Sequence, residues 1–527
     1  MLEMILFINN INRMNIKSKY CLTFLVFIFL TTSLIAQKTS SDNGDGSYTN
    51  PLIPADFPDP DVIFVDGTYY MVSTTMFVFP GVTILRSKDL VNWEYCSNAV
   101  PRFDFSPCYD LDGCHRYSHG QWATSMRYHK GKFHLLFITL DEGGFLCTAE
   151  KVEGPWEIKK LPKGFYDAGM FFDDDGRNYV VHGYSDIFIT EVDENFVAIS
   201  QDSLIFTGDI RKGLEGAHVY KINGYYYLYC TYGGLDGIQV ALRSRNIYGP
   251  YEQKIVISDP TPGINFGIHQ GALIQTQTGE WWTVLFVDSG PFGRFPSLQP
   301  VTWVDDWPMV GVDGKGVITY KKPDVGATHN IKTLPTSDEF DVSTLGKQWG
   351  WNHNPDSLHW SLTENPGFLR IKTNKVATNL REARNMLTQR LFTKYDQTIP
   401  TIVTTKLDVS KIKEGDVAGL AIFQDPYAYV SVTKRDGQKY VEMINNGVVI
   451  ESTKLQKDFI YLRATASNKS SIANFAFSTD NQHFQNIGNN LLMTFNLKVF
   501  TGNKVGLFNF ATKASGGHVD FDWCRME

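Results

Sequence analysis

One pattern recurs along the first three fifths of the chain: a glycine, then an aromatic-rich run in which apolar residues alternate or cluster, then a second short apolar run and a polar turn. The instances are Gly67-Thr-Tyr-Tyr-Met-Val, Gly131-Lys-Phe-His-Leu-Leu-Phe, Gly176-Arg-Asn-Tyr-Val-Val, Gly224-Tyr-Tyr-Tyr-Leu-Tyr and Gly279-Glu-Trp-Trp-Thr-Val-Leu-Phe. They recur at intervals near 50 residues. Short strands at a degenerate period of this length predict propeller blades, none of which buries its faces until neighbours stack around an axis. Five repeats predict a five-bladed β-propeller over residues 50–330; one large β-sandwich is the plainer alternative. Ser87-Lys-Asp-Leu-Val-Asn-Trp93, Val152-Glu-Gly-Pro-Trp156 and Ile247-Tyr-Gly-Pro-Tyr251 each set an aromatic behind a turn, where it can anchor packing between blades.

From about Lys332 the period is lost. Residues 331–527 read as short alternating strands, such as Phe368-Leu-Arg-Ile-Lys and Thr401-Ile-Val-Thr-Thr-Lys-Leu. With no helical period, they predict a two-sheet β-sandwich. The whole chain is therefore expected to be all-β. Ahead of the blades, Arg13, Lys17 and Lys19 precede a short apolar run ending at Ala36. Residues 1–36 are read as a signal peptide, and the mature protein as exported, periplasmic or extracellular, without a membrane span. Residues 37–49 read as a polar, flexible leader.

Composition narrows the function classes. The chain is 43% hydrophobic and 14% aromatic with 44 glycines, a globular composition suited to strands. The net charge is −7, which speaks against nucleic acid as a partner. Seven cysteines include no pair at zinc spacing. Cys108 and Cys114 flank a turn and could bridge in an oxidising compartment, while Cys147 and Cys230 lie in apolar runs as buried thiols. No phosphate loop or serine nucleophile elbow is present.

Carboxylates remain. Cleaving a sugar bond needs one carboxyl that keeps its proton near neutrality and one that stays ionised. Asp59, Asp167 and Glu215 each lie eight or nine residues before the turn glycine of a blade. A common offset predicts equivalent inner strands, and so one central pocket. Asp56 and Asp61, beside Asp59, read as turn caps or supporting groups.

The stretch Asn50-Pro-Leu-Ile-Pro-Ala-Asp-Phe-Pro-Asp-Pro-Asp-Val-Ile-Phe-Val resembles the start of glycoside hydrolase family 43. Pro80-Gly-Val-Thr-Ile-Leu-Arg-Ser-Lys-Asp-Leu-Val-Asn-Trp, Ile268-His-Gln-Gly-Ala-Leu-Ile and Trp303-Val-Asp-Asp-Trp-Pro-Met-Val-Gly extend the likeness over nearly all of the mature chain. The resemblance implies a five-bladed propeller, inversion at the anomeric carbon, no cofactor for catalysis, and action on β-xylosyl or α-L-arabinofuranosyl groups of xylo- or arabino-oligosaccharides. It implies Asp59 as general base, Glu215 as general acid and Asp167 as the group that raises the Glu215 pKa and orients substrate. It further implies that Arg294 lines the sugar pocket, that His269 contacts the site or a central ion or water, and that Phe77, Phe79 and Trp122 border the sugar. Thr124 stands where the family has the proline of a Trp-Ala-Pro element. His269 equally suits a satisfied core histidine, and Phe77 and Phe79 equally suit core packing.

Asp338, Glu339 and Asp522 are candidate ligands for a structural calcium, with a solvated or salt-bridged acid cluster as the alternative. In family members the sandwich closes one side of the propeller mouth, which favours exo action. The first reading is thus an exo-acting β-xylosidase or α-L-arabinofuranosidase. An endo-arabinanase and a non-catalytic glycan-binding propeller are the alternatives. Fructan-cleaving relatives are disfavoured, because their Trp-x-Asn-Asp-Pro-Asn-Gly start is missing.

Overall fold

Each of the five turn glycines closes the hairpin between the first and second strand of a four-stranded antiparallel sheet. Their φ values run from +73° to +93°, a region that side-chain-bearing residues enter at a cost. Asp66-Gly67, Lys130-Gly131 and Asn223-Gly224 form two-residue turns with positive φ at both positions, whose twist matches that of the strands they join. The computed structural model describes residues 40–209, 211–257 and 267–527. The signal-peptide reading of residues 1–36 lies outside these.

The five sheets are blades I to V. Their innermost strands are Asp61–Val65, Thr124–His129, Gly169–Phe172, Leu214–Ile222 and Ile268–Gln275, and each blade adds three further strands outward, consecutive along the chain except in blade I, where Val78–Phe79 intervenes. The inner strands neighbour one another in a closed ring, I to V and back to I. Apolar layers fill the gaps between blades. Val72, Met126 and Leu135 pack between I and II, Leu136, Met170 and Val180 between II and III, Val181, Val219 and Leu228 between III and IV, and Ala241, Leu273 and Leu285 between IV and V. Trp93, Trp156 and Tyr251 pack into such layers, and each also hydrogen-bonds a carbonyl three or four residues back, which pins the turn before the outermost strand.

The leader departs from expectation. Ser47–Thr49 pairs with Thr319–Lys321, and Ser40, Ser41 and Asp42 are buried. Its polar groups find partners instead of water: Asp42 meets Lys322 and Asn92, both at 2.8 Å. Tyr48 is fully buried against Trp282 and donates its hydroxyl to the Leu298 carbonyl. One aromatic anchor and satisfied polar groups thus order a segment whose composition reads as flexible.

Beyond the propeller, eight-stranded and seven-stranded antiparallel sheets form the sandwich. Strands Asp416–Phe423 and Lys504–Ala511 are buried on nearly every residue. One face looks into the sandwich core. The other packs on the propeller, where Met76, Phe77 and Tyr117 meet Phe423, Tyr427 and Phe508. The eighth strand of the larger sheet comes from blade I: Val78 and Phe79 pair with Asn352 and Trp351. Cys108 and Cys114 form a disulfide, and Cys147 and Cys230 are buried free thiols, as are Cys96 and Cys524. No helix among the described residues is long and apolar enough to cross a membrane.

Candidate active site

The inner strands deliver their first residues to one end of the ring. The backbone turns left-handed at Asp59, Asp167, Gly216 and Gln270, at or beside the start of the inner strand in four blades. For three non-glycine residues this is strained backbone, of a kind that clusters at functional sites. In blades IV and V the turn coincides with a register shift, between Glu215 and His218 and between His269 and Gly271. Such bulges re-aim side chains.

Asp59 is held on both oxygens. Arg294 Nη1 donates to Oδ1 at 3.0 Å and Thr74 Oγ1 to Oδ2 at 2.6 Å. Arg294, 6% exposed, opens the third strand of blade V, and its own N–H donates to Asp56 Oδ1 at 2.9 Å. Gly293 makes that approach possible, since a Cβ there would sit 2.3 Å from Asp56 Oδ1. The Arg294 guanidinium lies over Phe286 and Phe500, and among the described residues its Nε and Nη2 have no hydrogen-bond partner.

Glu215 accepts a hydrogen bond from the Tyr166 hydroxyl at 3.1 Å. Burial, with the Asp59 charge added, outweighs Tyr166 and Arg294 and pushes its pKa up to about 7. Asp167 is also raised, first by burial and then by the charges of Glu215 and Asp59; it is opposed by the Gly216 N–H and Arg294. This modifies the sequence expectation. Burial is the main cause of the Glu215 shift, and the repulsion between the two carboxyls is felt on Asp167. Both acids are therefore harder to ionise than free carboxyls.

Trp122 borders the same group, its ring 6.0 Å from Tyr166 and 5.3 Å from Phe500. His269 is 2% exposed, packs on Phe286 and sits with Nε2 3.6 Å from Asp288. Phe77 and Phe79 are corrected. They are 0% and 1% exposed, Phe77 against Tyr117 and His353 and Phe79 against Phe103 and Tyr109, so neither offers a face to a sugar. The pairing of Val78–Phe79 with the sandwich turns this loop inward. The calcium reading is corrected as well. Glu339 forms a bidentate pair with Arg525, Asp522 pairs with Lys406, and Asp338 accepts from Trp349 Nε1. Each acid has its own donor, and among the described residues no metal-holding group of His, Cys, Asp and Glu forms.

Gln270, Phe500, Arg127 and His218 escaped the sequence reading. The nine-residue offset that marks Asp167 and Glu215, applied to Gly131 and Gly279, falls on Trp122 and Gln270, and Gln270 Nε2 stands 3.4 Å from Asp167. Phe500 arrives from the sandwich loop that also sets the Gly502 N–H on Asp56 at 2.8 Å, and no period marks it. Below the acids, the fully buried Asp61 accepts from Arg127 at 2.8 Å and Met126 N at 2.7 Å and meets His218 at 3.1 Å. Burial opposes its ionisation, but Arg127 and His218 prevail and hold it at about 2. Asp61 is two residues from Asp59 and His218 three from Glu215, so this network ties together the strands that carry both.

One end of the propeller thus brings together one clamped carboxylate, one carboxyl with a raised pKa and an arginine bearing spare donors, the kinds of group that cleavage of a glycan needs. The family described as glycosyl hydrolases family 43 matches residues 48–308, and the β-xylosidase C-terminal concanavalin A-like domain matches residues 337–527. A β-xylosidase of Formosa agariphila is 33% identical over 92% of this chain and 90% of its own. A non-reducing end α-L-arabinofuranosidase of Bacteroides ovatus is 28% identical over 95% and 97%. The structure of a bifunctional GH43–CE protein of Bacteroides eggerthii superposes with a TM-score of 0.84 at 35% identity, covering 93% of this chain and 64% of that one. The chain belongs to glycoside hydrolase family 43 and is a glycosidase that hydrolyses O-glycosyl bonds.

Proposed function

We propose that this enzyme removes β-xylosyl groups, and secondarily α-L-arabinofuranosyl groups, from the non-reducing ends of hemicellulose or pectin side-chain oligosaccharides, with inversion. The observation that carries the reading is the contrast between two carboxyls in one site: Glu215 pushed up to about 7, and Asp59 fixed by Arg294 and Thr74. Asp59 takes a proton from the attacking water while Glu215 gives one to the leaving oxygen. Inversion asks for roughly 6.5–9.5 Å between them, enough for the water. Asp167, buried and under the charge of Glu215, orients the sugar. The spare Arg294 donors suit sugar hydroxyls in a fixed fork. Trp122 and Phe500 wall one side, which supports exo over endo action. The sugar assignment rests on the names of the relatives. No cofactor enters these steps. Residues 1–36 support export to the periplasm or beyond.

Para-nitrophenyl β-D-xyloside is expected to be cleaved faster than the α-L-arabinofuranoside, and xylo-oligosaccharides to yield xylose alone. Proton NMR of the first product tests the mechanism: α-xylose must appear first, and β-xylose would remove Asp59 from the role of base. The alkaline limb of kcat/KM reports the acid, so activity should fall as pH rises through about 7, where Glu215 loses its proton. Tyr166 stabilises the ionised form of Glu215, so Tyr166→Phe should move that limb to higher pH. A limb that stays in place would separate it from Glu215.

A further inference from the structure

We propose that the junction of blade I and the sandwich holds one small monovalent anion of the halide class, gripped by Lys504 and Arg390. The two residues are direct cross-strand partners on Leu387–Arg390 and Lys504–Ala511, so their side chains leave the sheet on the same face. Like charges directly opposite destabilise a sheet even in water. Here they are 5% and 9% exposed, beneath the propeller, where an unpaired charge costs far more.

The acids nearby do not balance them. Arg390 gives Nε to the Asp56 backbone carbonyl at 2.7 Å and Nη2 to Thr83 Oγ1 at 3.3 Å, and lies over the Phe57 ring at 4.0 Å. Among the described residues no carboxylate forms an ion pair with it, and Lys504 Nζ has neither an ion pair nor a hydrogen-bond acceptor. Asp56 opposes the fall in the Lys504 pKa, but its oxygens already take the N–H groups of Arg294 and Gly502. One positive charge is left unmatched, and Lys347, exposed at the outer edge, adds another. Burial first, then Arg390, pushes the Lys504 pKa down to about 8, which leaves the ammonium form dominant at neutral pH.

Both cations line a cavity of about 20 Å³ with Thr75, Thr83 and Asn98. That is room for one water-sized guest. Chloride or bromide fits. The site lies one residue layer behind the base, along the path Lys504 and Arg390, Asp56, Arg294, Asp59. Its occupancy should therefore stiffen that clamp as well as the domain junction.

Two measurements test this on the intact protein. Crystals of the unmodified chain soaked in sodium bromide should show an anomalous peak in contact with Lys504 Nζ and Arg390. The thermal midpoint should rise saturably with sodium chloride, on the order of 2 °C, and stay flat in sodium gluconate at matched ionic strength. Lys504→Met and, as a second variant, Lys504→Gln should abolish the chloride-specific rise. Absence of bromide density in the unmodified protein, a site holding water alone, equal responses to chloride and gluconate, or an unchanged chloride response in either variant would each overturn the proposal. The bromide measurement needs no variant, so poor folding of the lysine replacements leaves it decisive.

Discussion

Glu215→Gln is expected to lower kcat on xylobiose by roughly 10⁴-fold, and on para-nitrophenyl xyloside by only about 10²-fold, the two ends of the range a positioned acid supplies. The difference is the signature. A sugar leaving group departs as a strongly basic alkoxide unless it is protonated, whereas a nitrophenolate leaves unaided. Gln keeps the size of Glu and can still meet the Tyr166 hydroxyl, so the loss isolates the proton. The alkaline limb near pH 7 should vanish with it. Steady-state kinetics on both substrates decide the matter, and equal losses would move the acid elsewhere.

Asp59→Asn is expected to lose on the order of 10⁴-fold on both substrates, because every leaving group needs the same activated water. KM should change less than kcat, since Thr74 and Arg294 still frame the position. The variant also leaves Arg294 without its counter-charge in a site where each is less than a tenth exposed. Breaking a buried pair from one side costs about 3–5 kcal/mol, so a lower thermal midpoint should accompany the kinetic loss. A variant that melts earlier but turns over normally would make Asp59 a structural anchor and nothing more.

What the chain discloses in advance follows from how its repeats are built. Turn glycines recur because three of the hairpins need positive φ at both central residues, and the acids recur eight or nine residues ahead of them because each blade enters the ring in much the same way. Periodicity therefore carried the propeller and the three carboxyls. It carried less where side chains answer to a neighbour outside the repeat. Phe77 and Phe79 read as sugar-facing because the sequence does not reveal that Val78–Phe79 is taken up by a sheet built some 270 residues later. Tyr48 and Asp42 were hidden in a polar stretch whose partners, Trp282 and Lys322, are equally remote. Phe500 lies in a loop of the sandwich, beyond the reach of any blade period. The acids at 338, 339 and 522 looked like ligands because sequence shows charge but not the arginine, lysine and tryptophan that claim it.

That borrowed strand has a bearing on how such enzymes can be cut and recombined. A gene fragment ending near residue 330 would strip Val78–Phe79 of its sheet and uncover Phe77, Tyr117 and Met76. The truncated protein should then be aggregation-prone instead of a leaner catalyst. The C-terminal sandwich is in this sense unlike a tethered carbohydrate-binding appendage that can be deleted or exchanged between enzymes. Grafting a different one would require redesigning the first blade together with it.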